Sequence, residues 1–246
     1  GEGRMLEPDE ILQTVDRLHA FDRPGVSKRV LITAGGTREP IDSVRFIGNM
    51  SSGRTAAGLA DELTSAGHSV TWLGTRDAVQ PVLAGKLDFY TSFSELENQL
   101  RALLASGEYD VVIHVAAVSD FSVAGVETGD GKPGATGGKL SSDADLVIRL
   151  KRNPKLLDRI RDWSGNPDLR VIGFKLTDTD DTEQQLAAIR KQLDNSGVDA
   201  VVHNDLSDIS ETAHTFCLHR DGQEPVSCED SGELALTINR LLEGVS

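Results

Sequence analysis

The chain has 246 residues, 38% of them apolar, and a formal net charge of −14 at pH 7. That length suits one large α/β domain or two small ones. No apolar run approaches the roughly 20 residues of a membrane span, so no membrane partner is expected. An acidic balance also speaks against nucleic acid, whose phosphates are held by basic patches.

Cys217 and Cys228 are the only cysteines, too few for a disulfide framework. No basic segment followed by an apolar one opens the chain. A reducing, cytoplasmic setting is therefore expected.

In chain order, residues 7–19 carry Ile11, Leu12, Val15 and Leu18 at helical spacing, which predicts a peripheral helix in an N-terminal extension over 1–27. The main domain is expected over 28–246. Val30 to Thr33 reads as the first buried strand and 55–66 as a helix burying Ala57, Leu59, Ala60 and Leu63. Residues 69–74 read as a second strand and 88–91 as a short one. A helix over 94–106 is expected, with Ser94 as its N-cap. The most apolar strand is 110–117, which predicts a central position. Further on, a strand over 146–150 and a helix from Asn153-Pro154 through Ile160 are expected, with Pro at the permitted first position. A strand over 170–174 and a helix over 182–193 capped by Thr182 follow. The remaining predicted elements are a strand over 200–202, a hairpin of 215–219 with 224–227, and a last helix over 231–242. Strand and helix alternate, so the predicted fold class is α/β: a Rossmann-like, doubly wound, mostly parallel sheet with a C-terminal antiparallel hairpin.

The chemistry concentrates between Val30 and Arg54. Gly35 and Gly36 follow the first strand, where glycine lets a backbone approach a ligand. Arg45, Asn49, Ser51, Ser52, Gly53 and Arg54 fall within ten positions of each other, just before a helix. A helix start with a serine cap attracts anions, so a phosphate-bearing ligand is expected here. Gly48 to Thr55 nearly spells a phosphate-binding loop, but it carries Arg54 for lysine and lies too far from its strand. Ala116 and Ala117 end the apolar strand, where ligands of open α/β sheets bind. Asp120 orients a substrate group or caps a turn. Residues 125–138 hold six glycines, which predicts a mobile lid. Lys139 follows it, on the lid or on the solvated surface. Phe174 is a core residue or a stacking platform, and Lys191 lies on a helix face. The six histidines are scattered and show no metal-ligand spacing.

Six stretches in order, ITAGGTREPIDSVRFIGNMSSG (32–53), AAVSDF (116–121), KLSS (139–142), NPKLL (153–157), GFKLTD (173–178) and VVHND (201–205), resemble the phosphopantothenoylcysteine synthetase family. The resemblance covers about residues 28–245. It implies a ligase that activates the carboxylate of 4′-phosphopantothenate as an acyl-nucleotide and then forms an amide with L-cysteine. It implies a nucleoside triphosphate, CTP or ATP, as co-substrate together with Mg2+, and a homodimer. By resemblance, Asn49, Lys139 and Asp120 are catalytic, and Arg45, Ala116, Ala117 and Asp120 bind phosphopantothenate. Gly35, Gly36, Ser51, Gly53, Phe174, Lys191 and Asn204 bind the nucleotide; metal ligands stay unassigned. In many bacteria the synthetase is fused to a flavin-dependent decarboxylase, for which about 27 preceding residues leave no room, so no flavin is expected. Ala56 stands where the family usually has glycine and His203 where it has a small residue, which leaves CTP against ATP open.

Two other classes fit parts of the pattern. An NAD(P)-dependent Rossmann oxidoreductase lacks its G-x-G-x-x-G turn and its Tyr-Lys pair here. A non-catalytic nucleotide-binding regulatory subunit would not need Asn49, Asp120 and Lys139 together. The hairpin and the Arg45 loop are expected near the dimer interface, because an unpaired edge strand invites pairing.

Overall fold

A computed structural model describes residues 27–128, 138–140, 145–209 and 214–244. The predicted helix over 7–19 lies outside the described residues, as do 129–137 of the expected lid. The described strands are β1 (Arg29–Ala34), β2 (Arg38–Pro40), β3 (Phe46–Gly48), β4 (Ser69–Gly74), β5 (Lys86–Phe89), β6 (Val111–His114), β7 (Phe121–Thr128), β8 (Leu146–Arg152), β9 (Arg170–Thr177), β10 (Ala200–Asp205), β11 (Phe216–His219) and β12 (Val226–Cys228). The α-helices are α1 (Arg54–Ser65), α2 (Phe93–Ala105), α3 (Ile160–Trp163), α4 (Thr182–Ser196) and α5 (Ser231–Glu243).

Eight strands form one sheet in the order β12-β11-β10-β9-β6-β1-β4-β5. The run from β10 to β5 is parallel throughout, while β11 and β12 are antiparallel. This is the predicted α/β sheet with its C-terminal hairpin. Parallel strands covered on both faces need apolar side chains on both. Val30 and Ile32 of β1 accordingly join Trp72, Leu59, Leu63 and the α5 residues Leu234 and Ile238 on one face. Leu31 joins Leu73, Val112, Val171 and the α2 residues Leu96 and Leu100 on the other. The chain runs from β1 out to β4 and β5, then returns to β6 on the opposite side of β1. The gap beyond β1 and β6 is thus the topological switch point, where an open α/β sheet leaves a crevice.

Several local expectations shift. The N-cap of α2 is Ser92, not Ser94; its hydroxyl accepts from Glu95 N–H. The intervening Phe93 is buried, and that anchors the first turn two residues earlier. α4 is capped by Asp181, whose carboxylate takes Glu183 and Gln184 N–H, rather than by Thr182. Asn153-Pro154 does not open a helix. Asn153 is buried and its side chain is engaged elsewhere, so helical structure begins only with a 3-10 turn at Leu157–Arg159. β5 lies two residues earlier than expected. β6 stops at His114, because residues 115–117 leave the ladder and meet β1's extension only through a Gly36–Ala117 bridge. Two small sheets went unforeseen, β2 with β3 and β7 with β8. Gly125, expected to begin the lid, lies inside β7 at an irregularity in its register.

Candidate active site

The switch point is assembled by backbone first. Ala117 N–H donates to Gly35 C=O at 2.9 Å and Thr37 N–H to Ala117 C=O at 3.1 Å, which zips the two strand ends together. Asn49 N–H donates to Thr37 C=O at 3.2 Å and so brings the far end of the β2–β3 arm into the same place. A Cβ on Gly36 would lie 2.1 Å from the Asn49 carbonyl oxygen. Only glycine permits this approach. Gly35, Gly36 and Asn49 of the 30–54 stretch and Ala117 of the apolar strand therefore meet in one place.

Next to it, α1 starts at an N-cap Gly53 in the left-handed region (φ 73°) with no side-chain cap. The expected serine cap is reduced to Ser52 Oγ accepting from Arg54 N–H at 3.4 Å. Early N–H groups of α1 are thus left to point their partial positive charge outward. The 75–79 turn backs this corner: Val79 N–H donates to Ser52 C=O, and Ala78 packs within 2.6 Å of where a Gly53 Cβ would stand. Thr75 Oγ1 lies beneath Gly35 and is buried with no hydrogen-bond partner among the described residues. A glycine turn, an uncapped helix start and an unsatisfied buried hydroxyl together suit an anionic ligand.

Arg45 and the Lys139 segment are joined by a residue that sequence reading missed. Asp42 accepts from Val44 and Arg45 N–H, pairs with the Arg45 guanidinium at 2.7 Å, and accepts from Leu140 N–H. Arg45 also donates to Leu140 C=O at 2.7 Å. These donors, the Val44 N–H foremost, hold the Asp42 carboxyl well below the usual carboxylate range against a smaller opposing effect of desolvation. Lys139 is thereby tethered, through its neighbour, to the Arg45 loop. The sequence signal was Asp42 inside the 32–53 stretch, whose glycines, Arg45 and Asn49 draw attention first.

Asp120 is exposed and pairs with exposed Lys155 at 2.5 Å; such a pair contributes little to stability and can open to a ligand. Behind it, Asn153 Nδ2 donates to Ser119 C=O, and Ser122 Oγ lies within hydrogen-bond reach of both Asn153 Oδ1 and the buried Glu39 carboxylate. Ala116 is half-buried at the same strand end, its N–H on Thr33 Oγ1.

The remaining expected residues lie further along the carboxyl edge. Phe174 on β9 packs partly against the core, with its C=O accepting from Gln192. Asn204 on β10 is buried and contacts His214 at 3.1 Å. His203, opposite Lys175 in register, meets Thr177 Oγ1 at 2.8 Å, and burial lowers its pKa. A cavity of about 210 Å³ lies beside it, lined by Asp208, Phe216 and Cys217 among others. Lys191 is exposed on α4, and no described contact ties it to the switch point. Among the described residues no group of three or more His, Cys, Asp or Glu could hold a metal ion, and no helix is long and apolar enough to cross a membrane.

Fold and site together define an α/β protein with an anion-receptive crevice at its switch point. The chain belongs to the family described as the DNA/pantothenate metabolism flavoprotein C-terminal domain, whose model matches residues 26–243. It is 34% identical over 207 residues to the coenzyme A biosynthesis bifunctional protein CoaBC of Thermococcus kodakarensis, covering 84% of this chain and 48% of that protein. It is 32% identical to CoaBC of Mycolicibacterium smegmatis, covering 100% of this chain and 60% of the relative. The chain thus spans about half the length of the Thermococcus relative. Among solved structures, the DNA/pantothenate metabolism flavoprotein from Streptococcus pneumoniae superposes with a TM-score of 0.79 at 26% identity, over 89% of this chain and 100% of that one. A Cab2 mutant in complex with phosphopantothenate-cysteine shares the fold, with a TM-score of 0.69 at 18% identity over 98% and 95% of the two chains.

Proposed function

We propose that this chain is a phosphopantothenate–cysteine ligase acting in coenzyme A biosynthesis. The observation that carries the reading is the convergence of Asn49, the Gly35-Gly36 turn and the Ala117 strand end at the switch point, in a member of this family. The names of its CoaBC relatives support it.

In the first half-reaction a carboxylate oxygen of 4′-phosphopantothenate attacks the α-phosphorus of CTP or ATP. The bond to the β-phosphate oxygen breaks and pyrophosphate leaves. In the second, the amine of L-cysteine attacks the acyl carbon, the nucleoside monophosphate leaves, and the amine gives up a proton. The first step crowds anions together, so fixed cations and N–H dipoles must face them. Arg54, the start of α1 and the Gly35–Gly36 turn, with Ser51 and Gly53, serve the phosphates in this reading. Lys139 serves the activation step, and Arg45 serves phosphopantothenate. Ala116, Ala117 and Asp120 hold the pantothenate moiety. Phe174, Asn204 and Lys191 serve the nucleoside end. Mg2+ is usually carried on substrate phosphates with few protein ligands, which suits a site whose described residues form no carboxylate cage; it would add positive charge there.

Asn49 is uncharged and offers a hydrogen bond where charge develops on the acyl oxygen. Asn49→Ala is therefore expected to keep pyrophosphate release and lose amide formation by about 10²–10³, so that acyl-nucleotide accumulates. Lys139→Ala should slow pyrophosphate release itself. Incubation with phosphopantothenate, cysteine and CTP or ATP, followed by rapid quenching, reads both steps and identifies the nucleoside monophosphate. Identical profiles in two folded variants would refute this division of roles. Hydride transfer without pyrophosphate release would refute the ligase.

A further inference from the structure

Asn49 has two faces, one that accepts a hydrogen bond and one that donates, and only the donating face suits the role above. Which face meets the crevice depends on what holds the other. Ser119 Oγ lies 3.1 Å from Asn49 Oδ1. Thr37 Oγ1 lies 2.8 Å from Ser119 Oγ and also accepts from Ser119 N–H at 2.8 Å. Thr37 is wholly buried and Ser119 nearly so, whereas Asn49 is exposed.

The proton count fixes the direction of this chain. Each hydroxyl has one proton to give. Among the described residues, the only acceptor for the Thr37 proton is Ser119 Oγ. Leaving that buried proton unpaired would carry the desolvation penalty of an unsatisfied donor. Thr37 therefore donates to Ser119, and Ser119 must spend its own proton on the next acceptor, Asn49 Oδ1. The reverse chain, with Asn49 NH2 donating to Ser119 and Ser119 to Thr37, would strand the Thr37 proton inside the protein. Ser119 is itself held in place, because its C=O accepts from Asn153 Nδ2 at 3.0 Å. The Asn49 backbone is pinned against Thr37 C=O and Gly36.

We propose that Thr37 and Ser119 are positioning residues whose one-way hydroxyl relay locks the Asn49 carboxamide with its NH2 group facing the crevice. What the relay does for catalysis rests on the ligase reading; its geometry does not. The consequence is that Ser119, 70 positions from Asn49 in sequence and nearly buried, sets the polarity of the donor.

Two measurements separate these levels. In the 15N-labelled free protein, the Asn49 side-chain NH2 signals are assigned by their loss in Asn49→Ala. Ser119→Ala and Thr37→Val should both shift them, while Thr37→Ser, which keeps the hydroxyl, should leave them in place. In the quench assay, Ser119→Ala should slow amide formation about tenfold, the effect of one neutral hydrogen bond, with pyrophosphate release unchanged. In an Asn49→Ala background the Ser119→Ala change should add nothing, because the relay then has no group to orient.

NH2 signals indifferent to Ser119→Ala would overturn the relay even in an active ligase. So would a further loss of rate when Ser119→Ala is added to Asn49→Ala, since that would mark a general structural lesion. If Thr37→Val fails to fold, Ser119→Ala and Thr37→Ser carry the test alone. A wild-type protein that releases no pyrophosphate, yet shows the coupled NMR shifts, would sink the ligase and leave the relay standing.

Discussion

His114 closes β6 next to the crevice, buried, with its Nδ1 2.9 Å from Thr33 Oγ1. Burial disfavours the charged ring and pushes its pKa down to about 4. An unfolded chain takes up that proton near pH 6.5, whereas the folded one resists until about 4. Stability is therefore expected to fall as the pH drops between those values, by an amount of order 3 kcal/mol. Thermal unfolding of wild type and His114→Gln at pH 7, 5.5 and 4.5 checks this: the variant should show a flatter decline. Parallel curves would mean that His114 does not control this limb. The same residue shows what one sequence can and cannot tell. In sequence His114 is one of six scattered histidines, because its partner Thr33 is 81 positions away. Gly35 and Gly36 were legible as a glycine turn after a strand, and Asn49 as one of a polar cluster whose role only the family resemblance supplies. Thr37, Ser119 and Asp42 were not, because a threonine, a serine and an aspartate near turns have many local uses. The folded pairing of β1 with β6 gives Thr37 and Ser119 one, and the contacts of the Arg45 loop with Leu140 give Asp42 one.

Elements were legible wherever apolar periodicity and length agreed. The parallel sheet, α1, α2, α4 and α5 follow from strands buried on both faces and helices buried on one. β2 and β3 are three residues each, too short for any period to register, and β7 hides behind a glycine that reads as loop. Caps were misplaced by one or two residues, because neighbouring polar residues compete for the same role. Structure settles the competition at α4. Asp181 accepts from the Gln184 side chain and from the Gln184 and Glu183 N–H groups, which hold its carboxyl below the usual range. Asp181→Ala is accordingly expected to lower the urea unfolding midpoint, the usual effect of removing an N-cap. Thr182→Ala, at the first helical position, should leave the midpoint close to wild type. The opposite order would return the cap to Thr182.

At the scale of the whole molecule, two groups of exposed apolar side chains lie on neighbouring small sheets. Val44, Phe46, Ile47 and Met50 on the β2–β3 arm are exposed, Met50 completely, and so are Phe121, Val147 and Leu150 on β7 and β8. A protein of net charge −14 has no solvation reason to show these side chains to water. The arm also carries Arg45 and ends at Asn49, so whatever covers it borders the crevice. The C-terminal hairpin, expected on edge grounds to join the interface, adds only Val226 to the exposed large apolar residues. A homodimer closed mainly through the arm and the β7–β8 sheet is the expected assembly, since closed two-fold pairing buries one patch twice. Light scattering at micromolar concentration should give twice the 26.4 kDa chain mass. Phe46→Asp or Met50→Asp should shift it to monomer, as a charge placed in an apolar interface goes unpaired. If Arg45 contributes to a site shared between the two copies, the monomeric variants should bind phosphopantothenate more weakly while keeping their fold by circular dichroism. A wild-type monomer with full ligase activity would overturn the dimer and leave the arm's exposed side chains to some other partner. A dimer that survives both aspartate substitutions would move the interface elsewhere, with the edge strand β12 as the next surface to test.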